Sequence, residues 1–159
     1  GRVAAARALL RAHRDPVPRL AAGRALGVSR AATAMMDLSD GLRVDLPRLC
    51  AASRSGAVIE EAALPLSPEA ALLFGAARAR RFALVGGEDY ELLFAARDAD
   101  AKALARLAAR LGLPITRIGQ VVTRRQGLRL LTRQGRYLPF AAIGGAFEHF
   151  PRRRGPRGR

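Results

Sequence analysis

The stretch Met35–Leu46 reads MMDLSDGLRVDL. Apolar residues surround three polar ones, Asp37, Ser39 and Asp40, and Gly41 follows at once. The run AATAMMDLS that leads into it carries no helical stripe and reads as a short buried strand ending at Asp37 to Ser39. After the glycine, DLPRLCAAS reads as a helix. Pro47 suits a first turn and not an interior, which puts the helix start near Asp45, with that residue as candidate cap. Strand, glycine corner and helix in succession point to a fold that mixes the two element types.

The same stretch holds the first candidate for chemistry. If the strand extends through Ser39, Asp37 and Ser39 project to one side, because strand side chains alternate. Asp40 then turns the corner, and Gly41 permits a tight bend and close approach of a ligand. Two carboxylates and a hydroxyl at a strand end suit Mg²⁺, which takes one or two carboxylates and completes its shell with waters and phosphate oxygens. Asp, Ser and Gly are also ordinary turn and cap residues, and spacing alone leaves both readings open.

Working outward, VAAARALLRAH places Val3, Ala6, Leu9 and Leu10 at helical spacing, and Pro16 and Pro18 break that helix. A short helix over Leu20 to Leu26 stops near Gly27. Downstream, a strand is expected around Ala57 to Glu60. SPEAALLF then starts a helix with Ser67 as N-cap, Pro68 in the first turn and Glu69 at the positive dipole end. YELLFAA reads as a strand. DADAKALARLAARLGLP is a helix with Leu104, Leu107 and Leu111 on one face, stopped by Gly112 and Pro114. ITRIGQVV, GLRLLT and RYLPF read as strands joined by turns at 125–127 and 133–135. The mixture of helices and mostly non-alternating strands indicates an α/β or α+β sandwich, with no internal repeat.

At 159 residues the chain fits one domain, and half its residues are hydrophobic, enough for a real core. No apolar stretch approaches the roughly 20 residues of a membrane span. The arginine-bearing start has no cleavage pattern of a signal peptide, and position 1 is not Met, so the chain is expected to begin inside a longer parent. Cys50, the single cysteine, excludes an internal disulfide and any multi-cysteine zinc site, and reads as a small core residue. Cytoplasm is the default compartment. The net charge of +15 is carried almost wholly by arginine, Lys102 being the single lysine. Such a balance invites polyanion binding. Yet the arginines are spread along the chain, and no aromatic lies within the arginine-rich runs to stack a base. Solvated helix faces and a disordered, dispensable basic tail, Pro151 to Arg159, account for it better than a nucleic-acid-binding module.

Two further stretches stand out. In GGEDYELLF, Gly86 to Phe94, two glycines free the backbone and Glu88, Asp89 and Glu91 follow; with Asp37 and Asp40 these are five of the thirteen acids in a strongly basic chain. They suit metals or a cationic substrate, or else a solvated loop paired with arginines. In GGAFEHF, Gly144 to Phe150, Phe147 and His149 follow a glycine pair, and both have packing readings as well as functional ones.

Taken in this order, DLSDGL, GGEDYELLF and FEHF resemble the thiamine-monophosphate kinase family, over about residues 8 to 150 and within its C-terminal domain. PVPRLAAGRAL looks like the family's Pro-Arg-containing lead-in. The resemblance implies a C-terminal α/β domain with a mixed sheet flanked by helices, of the aminoimidazole-ribonucleotide synthetase superfamily. It spans residues 1–150, with the N-terminal ATP and Mg²⁺ domain absent and 151–159 as tail. It implies transfer of the γ-phosphoryl group of ATP onto thiamine monophosphate, giving thiamine diphosphate, in a protein that is a homodimer at full length. By position Asp37 and Asp40 become Mg²⁺ ligands and Ser39 an ATP contact. Glu88 and Phe147 become contacts of the thiamine substrate, whose thiazolium is a cation suited to an acid and an aromatic face. The resemblance assigns no catalytic base or acid. A related ATP-dependent synthetase of the superfamily is the neighbouring alternative.

Overall fold

The computed structural model describes residues 1–144. The elements run α1 (Arg2–Arg14), α2 (Leu20–Val28), β1 (Ala32–Asp37), α3 (Leu42–Ala52), β2 (Ser55–Glu60), α4 (Pro68–Phe74), α5 (Ala76–Val85), β3 (Leu92–Ala96), α6 (Ala101–Leu111), β4 (Gly119–Thr123), β5 (Leu128–Leu131) and β6 (Tyr137–Pro139). The expected mixture of helices and strands is therefore present. Phe147, His149 and the tail from Pro151 lie outside the described residues.

The strands form two sheets. β1 and β3 make an antiparallel ribbon in which Met36 faces Leu93 and Asp37 faces Leu92. The other four lie in the order β4-β2-β5-β6, with β2 and β5 parallel and the outer pairs antiparallel. The turn after β4 therefore carries the chain past β2 and does not close a hairpin, whereas β5 and β6 pair directly. Thr123 and Gln126 fix that first turn, the Gln126 side chain accepting the Thr123 N–H at 3.1 Å.

The ribbon packs against two apolar clusters. Met36 and Leu93 face the main core, built from Leu42, Leu46 and Cys50 of α3, Leu84 of α5, and Ala57, Ile59, Leu130 and Phe140 of the larger sheet and its edge. Each such leucine contributes about 1.5–3 kcal/mol by leaving water. Leu92 and Phe94 join a second cluster with Leu26 of α2 and Leu104, Leu107 and Leu111 of α6. The leucine stripe of α6 thus does what its spacing predicts, and Gly112, at φ +62, closes the helix in the left-handed region. Ser67 caps α4 as expected, its hydroxyl oxygen accepting the Ala70 N–H at 3.1 Å. Cys50 is a buried core residue, and burial pushes its thiol pKa up.

Several expectations need correction. β1 stops at Asp37 and its burial alternates, with Thr33, Met35 and Asp37 exposed, so it is a half-exposed strand and not a buried one. α2 runs through Gly27 to Val28. α3 starts at Leu42 rather than near Asp45, which leaves Pro47 inside the helix. Gly41, at φ +89, lets the chain turn straight from loop into helix, so no later start is needed. Pro47 lacks the N–H that would reach the carbonyl of Arg43, a local loss that the burial of Leu42, Leu46 and Cys50 offsets.

Candidate functional site

The two acidic stretches, far apart in sequence, meet in space. Past the regular β1–β3 ladder the backbones stay joined. The Leu38 N–H donates to the Glu91 carbonyl at 2.8 Å, the Tyr90 N–H to the Leu38 carbonyl at 2.9 Å, and the Glu88 N–H to the Ser39 carbonyl at 2.8 Å. DLSDG and GGEDYE therefore form one junction at the end of the ribbon. The glycines make the approach feasible: a Cβ built on Gly41 would lie 1.9 Å from the Gly86 carbonyl oxygen. Glu88 and Tyr90 hold left-handed backbone conformations, at φ +66 and +50, which non-glycine residues seldom adopt.

Within this junction the expected residues have distinct surroundings. Asp37 is exposed at the strand end and has no ion-pair partner among the described residues. Because β1 ends there, Ser39 lies in the loop and does not share a strand face with Asp37; its carbonyl is the acceptor for Glu88. Asp40 accepts from the Arg48 guanidinium, and this contact is the main reason the Arg48 pKa is raised. Glu88 is half-buried and lies 3.8 Å from the His13 Nδ1 at the end of α1.

Asp45, expected as a cap of its own helix, has another task. It is fully buried, at 0% exposure. One carboxyl oxygen accepts the Asp40 N–H at 2.9 Å and the other accepts from Arg48 at 2.9 Å. The DLSD corner is thus pinned from below by a residue five positions on. Sequence spacing assigns Asp45 to the right helix but gives no sign of this bond. Arg19, from the Pro-Arg stretch, also reaches the junction, through Glu91 at 2.6 Å.

Asp89 is the most perturbed acid here. It lies in the GGEDYE loop, two residues before Glu91. Desolvation, then repulsion from Glu91, pushes its carboxyl from 3.8 up to about 6. The folded state therefore holds this proton more tightly than the unfolded chain does. Between about pH 4 and pH 7 that contribution weakens the fold as pH rises through the folded pKa, and above about pH 7 it levels off. Asp89→Asn should remove it. The stability difference between wild type and Asp89→Asn, read from urea midpoints at about pH 4.5 and pH 7, is expected to shift towards the variant at the higher pH. An unchanged difference would show that Asp89 titrates normally.

Among the described residues no group of three or more His, Cys, Asp or Glu side chains converges as a ready metal cage. What the junction offers is exposed Asp37 and Asp89, Asp40 shared with Arg48, Glu91 paired with Arg19, and half-buried Glu88 on a braced loop. That donor set fits a hard cation that takes one or two carboxylates and draws its other ligands from water and phosphate.

Residues 5–130 match the family model described as AIR synthase related protein, C-terminal domain. The thiamine-monophosphate kinase of Salmonella typhimurium is 39% identical over 142 residues, which is 89% of this chain and 42% of that protein. Among solved structures, thiamine-monophosphate kinase from Stenotrophomonas maltophilia K279a is 41% identical with a TM-score of 0.68, over 72% of this chain and 35% of that one. AaThiL complexed with AMPPCP and TMP is 29% identical with a TM-score of 0.66, over 90% of this chain and 41% of that one. The chain spans about two fifths of the length of such curated relatives.

Proposed function

The chain belongs to the AIR synthase related C-terminal domain family, and from that premise we propose that it is the C-terminal part of a thiamine-monophosphate kinase. The full-length protein transfers the γ-phosphoryl group of ATP to thiamine monophosphate, as a cytoplasmic homodimer. Residues 1–150 are its C-terminal domain and 151–159 a basic tail; an N-terminal domain outside this chain supplies the rest of the cleft. The observation that carries the reading is the junction itself: two acid-bearing stretches joined through Leu38 and Ser39, with Gly41 packed on Gly86. The relative solved with AMPPCP and TMP supports the ligand classes.

Phosphoryl transfer between phosphates needs little covalent help and much positioning and charge neutralisation. Asp37 and Asp40 would hold Mg²⁺, which when bound neutralises phosphate charge. Ser39 contacts ATP from the corner that Asp45 and Arg48 keep in place. Glu88, in the braced loop, faces the cationic thiazolium, and Phe147 supplies an aromatic surface. The arginine-rich exterior favours approach of anionic ligands.

The test is Glu88→Gln in the full-length protein, with each ligand titrated separately. Binding of thiamine monophosphate should weaken about tenfold, the factor for a charged contact worth about 1.4 kcal/mol, and ATP binding should change less. A larger loss for ATP would move Glu88 to the nucleotide side.

A further inference from the structure

Arg19 is the last residue of the connector between α1 and α2, directly after Pro18, and Pro16 lies earlier in the same connector. Proline restricts such a connector to few conformations. From it the Arg19 guanidinium forks onto Glu91. Its Nε donates to the two carboxylate oxygens at 3.1 and 3.0 Å, and its Nη2 donates to Oε1 at 2.6 Å. Glu91 in turn is bound through its backbone to the other motif, its carbonyl accepting the Leu38 N–H. One residue thus ties the Pro-Arg connector, the acidic loop and the DLSDG corner together.

The loop it anchors has reason to need anchoring. Glu88 and Tyr90 sit at φ +66 and +50. Such conformations persist where the surroundings over-determine them. An exposed ion pair of ordinary geometry would not do this. This pair is bidentate, with the Arg19 side chain 26% and the Glu91 side chain 52% exposed, so it is the two-pronged geometry and not burial that favours a held arrangement. Glu91 also raises the Arg19 pKa, chiefly through the hydrogen bond, and a guanidinium is charged at all working pH values in any case. His13 touches Glu88 more loosely, at 3.8 Å, and is 66% exposed.

We propose that Arg19 is a positioning residue: through Glu91 it holds the Gly86–Glu91 loop in the form that sets where Glu88 stands, without itself touching substrate. The proposal deepens the kinase reading and rests on it for the identity of the ligand that Glu88 meets. Its structural part stands separately, because the Glu88 and Tyr90 amides are donors in the junction and report its opening.

The experiment compares wild type, Arg19→Gln, Arg19→Lys and the exchanged pair Arg19→Glu with Glu91→Arg in the full-length protein. Amide hydrogen exchange and steady-state kinetics are both read. In Arg19→Gln the Glu88 and Tyr90 amides should exchange about tenfold faster, equivalent to about 1.4 kcal/mol, while β2 and α6 amides keep their rates. KM for thiamine monophosphate should rise with little change in kcat or in KM for ATP. Arg19→Lys should fall between, and the exchanged pair should restore protection. Unchanged protection at Glu88 and Tyr90 would overturn the proposal, as would a loss spread evenly over the chain. If Arg19→Gln does not fold, Arg19→Lys and the exchanged pair decide by the same amides. If thiamine monophosphate is not a substrate, the kinetic arm fails for every variant including wild type, and the exchange arm still decides the role of Arg19.

Discussion

The isolated 159-residue chain, given ATP, Mg²⁺ and thiamine monophosphate, is expected to turn over at least about a hundredfold more slowly than the roughly 1–100 s⁻¹ usual for kinases. The reason is charge. Two phosphorylated ligands bring several negative charges together. To hold the cations that would offset them the junction has exposed Asp37, Asp40 already paired with Arg48, and a loop open to water along Asp89 and Tyr90. Preorganised stabilisation depends on excluding water from the reacting groups, and an open half-site leaves phosphates solvated. The chain also leaves Val17, Leu20 and Val28 exposed at 65%, 79% and 78%, apolar surface around α2 that fits coverage by another part of the parent protein. Turnover within about tenfold of the usual kinase range would refute the half-site argument. It would require a complete site within these residues.

Gly41→Ala is expected to destabilise the chain by about 3 kcal/mol or more, from two causes that add. At φ +89 any side chain is strained. The new Cβ would also meet the Gly86 carbonyl oxygen at 1.9 Å and its carbon at 2.8 Å. The neighbour is backbone and cannot swing away as a side chain would. Gly86 is itself fixed, its N–H donating to the Phe82 carbonyl at 2.7 Å, and moving it pulls on the Glu88 bond to Ser39. Gly27→Ala is the control: a Cβ there would meet nothing within 4 Å, and the residue sits inside α2. That change should stabilise by up to about 1 kcal/mol. Urea unfolding measures both, and a loss below about 1 kcal/mol for Gly41→Ala would mean that the junction is loose.

Local rules made much of this fold legible. The Ser67 cap, the α6 stripe with its Gly112 stop, and the strand before DLSDG all follow from neighbours within a few residues. What local rules missed depends on distant partners. α5 carries Arg78, Arg80 and Arg81 and buries only Ala79 and Leu84, so no broad apolar stripe announces it. The order of the larger sheet, with β2 between β4 and β5, is a long-range choice that turn residues do not encode. The candidate site shows the same division. Its two acidic stretches are visible as composition against a basic background, but their meeting through Leu38 and Ser39 is not. Nor are the supports of Asp45 beneath Asp40 and of Arg19 across 72 positions to Glu91.

The proposed function has this junction serve phosphorylation of thiamine monophosphate. Formation of thiamine diphosphate by the full-length protein, with ATP and across a range of Mg²⁺, tests it most directly when wild type is run beside Asp37→Asn and Asp40→Asn. Each change removes a charge and keeps the shape. Mg²⁺-dependent product is expected from wild type, with a loss of about a hundredfold or more in each variant at limiting Mg²⁺ and folding intact. No thiamine diphosphate from wild type, or variants that match its rate and Mg²⁺ dependence, would contradict it.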